Sequence, residues 1–122
     1  MVTRRSIREE GHRRKFLAVI DDTPECERAV AYAARRARST NGALVLLYVV
    51  KTAEFQQFLG VGDIMRAEAR EAAQSELEKH ALRLRHAHNI DSELVIREGL
   101  APDEIRALIE EDRDIAILVL AA

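Results

Sequence analysis

Eight consecutive apolar residues, Ala43-Leu44-Val45-Leu46-Leu47-Tyr48-Val49-Val50, constrain this chain more than any other segment. A strand with one wet face alternates apolar and polar residues, so an unbroken run of this length requires cover on both faces. It predicts a central strand of a parallel sheet, and parallel neighbours require long crossover connections, usually helices. The sequence on either side supplies them. Phe16-Leu17-Ala18-Val19-Ile20 is a shorter apolar run, stopped by Asp21-Asp22-Thr23-Pro24, and reads as a strand handing over to a helix. Thr23 is expected to cap that helix with its hydroxyl, Pro24 suits its start, and Glu25 and Glu27 complement the positive end of its dipole. Cys26, Ala29, Val30, Ala33, Ala34 and Ala37 then recur at helical spacing, with Arg28, Arg35, Arg36 and Arg38 mostly off that stripe. Asn41-Gly42 ends the helix, Gly42 being the residue expected in the left-handed conformation.

The pattern repeats downstream. Residues 51–62 hold no sustained period and read as a loop. Asp63 opens a long helix to about His88, with Met65, Ala69, Ala73, Leu77, Ala81 and Leu84 as its stripe. A third strand spans Ser92 to Arg97. Gly99-Leu100-Ala101-Pro102 turns into a helix with Ile105, Leu108 and Ile109 on its buried face, and Ile115 to Leu120 forms a fourth strand, apolar on both faces. Alternating strand and helix, with right-handed crossovers, give a doubly wound parallel sheet in a three-layer α/β/α sandwich. Folds of this class bind ligands beyond the carboxyl ends of the strands, where the strand order reverses. A central first strand therefore puts Asp21 in that crevice.

Composition narrows the class of function. A chain of 122 residues makes one domain, and 48% hydrophobic with 33% charged residues is a globular balance. No run approaches the roughly 20 apolar residues of a membrane span, so no membrane association is expected. The single cysteine, Cys26, excludes an internal disulfide framework and a cysteine-rich metal cluster, which points to a reducing cytoplasm. Residues 1–14 form a basic leader. Through Lys15 the chain carries +4, and the remainder carries −6. Few basic residues, interrupted by Glu9 and Glu10, on an acidic body make nucleic acid an unlikely partner. Thr3-Arg4-Arg5-Ser6-Ile7 is no export signal, because charged residues follow it where an apolar segment belongs.

Several residues invite a chemical reading and also a plain one. Asp21-Asp22 has the form of a paired carboxylate, but no histidine lies near it in sequence, and acidic residues before Pro24 equally solvate a turn. No catalytic residue is expected. Cys26, in the first turn of a helix, is placed for a lowered thiol pKa, yet its position on the apolar stripe favours a buried structural role. His80, His86 and His88 read as cations near a helix C-terminus, and His86 and His88 lie on different faces, so no metal site is expected. Gly60-Val61-Gly62 lacks the context of a dinucleotide fingerprint. Phe55, Phe58, Leu59 and Val61 are large apolar residues in a loop, expected to pack on their own domain.

Phe16 to Glu25, a strand ending in Asp21 with Thr23 two residues on, resembles the opening of the universal stress protein family. Further resemblances follow in family order: Ala29 to Ala34 in the first helix, Ala43 to Val50 in the second strand with Tyr48 where a histidine is common, Glu98 to Ile105 at the third helix, and Asp114 to Val119 in the fourth strand. Together they cover residues 15–120. The resemblance implies an adenine nucleotide alpha hydrolase-like domain over residues 15–122, with a fourth helix and a fifth strand expected to follow Ala122. It implies a non-enzymatic, homodimeric sensor or regulator in the stress response, with ATP or another adenine nucleotide held by Ile20, Asp21, Thr23 and Val49. A carboxylate such as Asp21 suits ribose hydroxyls. The family's phosphate loop begins Gly-x-x-Gly, where this chain has Val119-Leu120-Ala121-Ala122, and a Cβ at such places blocks close backbone approach to phosphate. Two alternatives stand beside this reading: a ligand-free interaction module acting by dimerisation, and a nucleotide-hydrolysing or adenylating enzyme of the same fold.

Overall fold

Seven elements follow one another in the alternating order the sequence predicts: β1 (Lys15–Ile20), α1 (Glu25–Ser39), β2 (Ala43–Val50), α2 (Gly62–His88), β3 (Ser92–Glu98), α3 (Ala101–Glu111) and β4 (Ile115–Val119). They belong to a computed structural model that describes residues 13–21, 23–51 and 62–121. The leader through His12, Asp22, the apolar loop residues Phe55, Phe58, Leu59 and Val61, Gly60, and Ala122 lie outside the described residues, as does the Met65 side chain.

All described strand pairings are parallel, in the order β3-β2-β1-β4. Helices cover both faces, which confirms the three-layer fold class. On one face Phe16, Ala18 and Ile20 of β1 and Leu44 and Leu46 of β2 pack against the small-residue stripe of α1 and against Leu77 and Leu84 of α2. On the other, Leu17, Val45 and Leu47 meet Leu108 of α3, with Ile105 and Ile109 alongside. The unbroken apolar run of β2 is thus explained by alternation between two dry faces. Each fully buried leucine or phenylalanine contributes about 1.5–3 kcal/mol of transfer free energy. Alanines on α1 let its axis approach the sheet closely, since Ala33, Ala34 and Ala37 are completely buried.

One local expectation is corrected here. Asn41, not Gly42, adopts the left-handed conformation, with φ 55°. The end of α1 is closed by the Asn41 amide donating to the Arg38 carbonyl at 3.3 Å and the Gly42 amide donating to the Ala37 carbonyl at 2.7 Å. This is the double bond of a Schellman cap. Gly42 is needed for a different reason: a Cβ there would stand 2.7 Å from the Arg14 carbonyl oxygen. That oxygen accepts the Ala43 amide, and the Arg13 guanidinium donates to the Gly42 carbonyl at 2.8 Å, so residues 13–14 are laced onto the start of β2.

Candidate functional site

The order β3-β2-β1-β4 reverses direction at β1, whose neighbours are β2 on one side and β4 on the other. With α1 and α2 on one face and α3 on the opposite face, the carboxyl end of β1 is the switch point of the sheet. Ile20 is buried at the last position of β1, in register with Tyr48. Asp21 and Val49 each follow that pair, so both stand at the carboxyl edge of the sheet. Val49 is half-buried against the α3 side, whereas Ile20 faces α1 and α2. Val119 ends β4 at the same edge and packs its side chain toward the α1 side.

Asp21 is exposed, and one of its carboxylate oxygens is engaged by Thr23. Its Oδ1 accepts the Thr23 amide at 2.9 Å and the Thr23 hydroxyl at 2.6 Å. Thr23 therefore does not cap α1: its hydroxyl is committed to Asp21, and α1 begins at Pro24 with no side-chain cap. The Asp21 amide donates to the Cys26 Sγ at 3.4 Å. Cys26 is buried, as its place on the stripe predicts, and burial pushes its thiol pKa up, opposed by that hydrogen bond. A raised thiol pKa suits the structural role.

A cleft of about 410 Å³ opens beside Asp21, Thr23 and Cys26 toward α2, whose Glu76, His80 and Arg83 form the far wall. Val49 is not part of its lining. The structure thus brings Asp21 and Thr23 together on one cleft and leaves Val49 at the sheet edge beside it. His80 corrects the sequence reading most sharply. It is 5% exposed, in the α1/α2 interface, whereas it was expected among helix-end cations. The signal was its register: three residues after Leu77 and four before Leu84, it continues the buried stripe of α2. Arg83 crosses to Glu27 of α1 in an ion pair beside it.

Burial, and then the charge of Arg83, hold the His80 pKa below the ordinary histidine range, with Glu76 and Glu27 acting in the other direction. A base with a depressed native pKa makes the unfolded chain bind more protons than the native one, so stability rises with pH across that interval. Stability should therefore fall as pH drops below about 6.5 and level off once native His80 protonates. His80→Leu should remove this component, read from urea midpoints at about pH 7.5 and about pH 5.5. An unchanged pH slope in the variant would take His80 out of the account.

Among the described residues no group of histidine, cysteine and carboxylate side chains could hold a metal ion, and no helix is long and apolar enough to cross a membrane. A model of the universal stress protein family matches residues 12–122. Solved structures agree in fold. The universal stress protein UspA from Lactobacillus plantarum superposes with a TM-score of 0.76 at 16% identity, over 91% of this chain and 78% of that one. A universal stress protein family member from Burkholderia pseudomallei gives 0.75 at 16% identity, over 93% and 85%. A universal stress protein in complex with cAMP gives 0.67 at 18% identity, over 89% and 76%. No curated protein matches the sequence.

Proposed function

This chain belongs to the universal stress protein family, and on that premise we propose that it is a cytoplasmic, non-enzymatic stress-response regulator that binds an adenine nucleotide at the carboxyl end of β1. The observation that carries the reading is Asp21, fixed by two hydrogen bonds from Thr23 at the switch point of the sheet. A pre-oriented carboxylate accepts two hydroxyls at once and suits the ribose of a nucleoside. Val49, one strand away at the same edge, offers its backbone to the base, and Ile20 closes the floor. The cAMP complex of a structural neighbour supports the ligand class. On the phosphate side Val119 occupies a glycine position, so the affinity rests mainly on the nucleoside half. Ligand occupancy would favour one arrangement of a homodimer over another, a population shift without chemistry.

Equilibrium titration with ATP, cAMP and adenosine tests this. Asp21→Ala should weaken the saturable binding about tenfold or more, since hydrogen bonds to a charged group contribute about 1.5–3 kcal/mol. Equal affinity in the variant would remove Asp21 from the site, and absence of binding at millimolar ligand would overturn the nucleotide reading. A second reading, a ligand-free module acting by self-association, is favoured by one observation: Leu118 of β4 and Leu120 just after it are 40% and 54% exposed, and β4 pairs only with β1 among the described strands. Concentration-dependent association unaffected by nucleotide would support it.

A further inference from the structure

We propose that the cleft between the start of α1 and the middle of α2 is a second binding site, for a small aliphatic amine whose ammonium is held by Asp21, Glu76 and the imidazole of His80. The first observation is His80 itself. It is 95% buried, makes no hydrogen bond among the described residues, and lines the cleft. Its ring nitrogens are not sealed off, Ser92 Oγ being the enclosed side-chain atom without a partner among the described residues, so the hydrogen-bonding capacity of His80 opens onto the cleft. The second is the sign of the walls. Asp21, Glu27 and Glu76 face the cleft against one cation, Arg83, which is already paired with Glu27. Among the described residues the ion pair of Glu76 is with Lys79 of its own helix, at 3.8 Å, beyond hydrogen-bond length.

These groups are acceptors. Carboxylates offer only lone pairs, and a neutral imidazole offers one more. An anion would meet net negative charge, and the described side chains form no metal-holding group, so the complementary guest is a donor-rich organic cation. Its carbon chain also has a place. A second cleft of about 270 Å³ shares Glu27, His80 and Arg83 with the first and is lined beyond them by Val30, Ala31 and Leu84. An ammonium at His80 would direct methylenes along that apolar groove, where their burial favours binding.

The site requires neutral His80, and its surroundings keep it so: burial and Arg83 lower its pKa, Lys79 adds to this, and Glu76 and Glu27 oppose it. Cys26, across the cleft on α1, contributes a thiol whose pKa is raised. Arg28 and His88 border only the apolar groove. A protonated imidazole would repel the guest, so affinity should fall as pH drops through the His80 transition while the amine itself stays protonated.

The test is a titration of the protein with 1,4-diaminobutane at constant ionic strength, followed by the His80 imidazole resonances and by calorimetry, with 1,4-butanediol as the uncharged counterpart. Saturable movement of the His80 signals with the diamine and none with the diol is expected. Glu76→Gln, at a half-buried position that does not threaten folding, should weaken the diamine about tenfold or more. His80→Leu, which extends the apolar stripe, should abolish saturable binding. Equal responses to diamine, diol and potassium chloride, or unchanged affinity in Glu76→Gln, would overturn the proposal. Asp21 is left intact throughout, so failure here leaves the nucleotide reading standing, and failure of nucleotide binding leaves this one standing.

Discussion

Replacing Phe16 by alanine is expected to destabilise the domain by about 3–5 kcal/mol. Phe16 is the largest fully buried side chain, in the middle of the sheet, with Leu44 of β2 and Ile117 of β4 as its register partners. β2 is itself fixed by pairing with β3, so the surroundings can close only part of the resulting cavity. A single domain is stable by about 5–15 kcal/mol, and this one substitution would remove much of that. Urea unfolding of Phe16→Ala beside Leu118→Ala makes the comparison, because Leu118 is partly solvated on the outer strand and should cost far less. Equal losses in the two variants would show that the packing of the α1/α2 face does not dominate stability.

Gly42→Ala is expected to cost about 1–3 kcal/mol, an overpacking effect at a position where one methyl group has nowhere to go. The new Cβ would stand 2.7 Å from the Arg14 carbonyl oxygen, and that oxygen is held by the Ala43 amide at 2.8 Å. Retreat of Arg14 would open the first rung between β1 and β2. Retreat of Gly42 would stretch its bond to Ala37 and uncap α1. Asn41→Gly is the contrast: the left-handed residue of the cap is replaced by one that adopts that conformation freely, and its midpoint should stay close to that of the parent protein. A Gly42→Ala protein as stable as the parent would mean that residues 13–14 are not tied to β2 in solution.

Much of this architecture was legible before any coordinates. The dry run of β2 required cover on both faces, and the stripes of α1 and α3 named their own core residues, Cys26 and Leu108 among them. Asp21 could be placed because a residue that ends a strand must lie at a sheet edge. What escaped were a choice between two local partners and a contact across the chain. Thr23 looked like a helix cap, since its sequence neighbours allow that, but the Asp21 carboxylate two residues earlier competes for its hydroxyl and takes it. His80 looked like a helix-end cation because proximity to charged neighbours is visible in sequence, whereas proximity to α1 is not.

The sequence by itself determined the order of elements, the parallel sheet, both apolar faces and the family, because periodicity and turn chemistry are properties of neighbouring residues. Only the tertiary structure decided that Gly42 yields to the Arg14 carbonyl rather than to a dihedral angle, and that His80 shares a cleft with residues more than fifty positions earlier. The first depends on where the chain before β1 meets the start of β2, the second on where the crossovers lay α1 beside α2 on the same face of the sheet, and no local pattern encodes either placement.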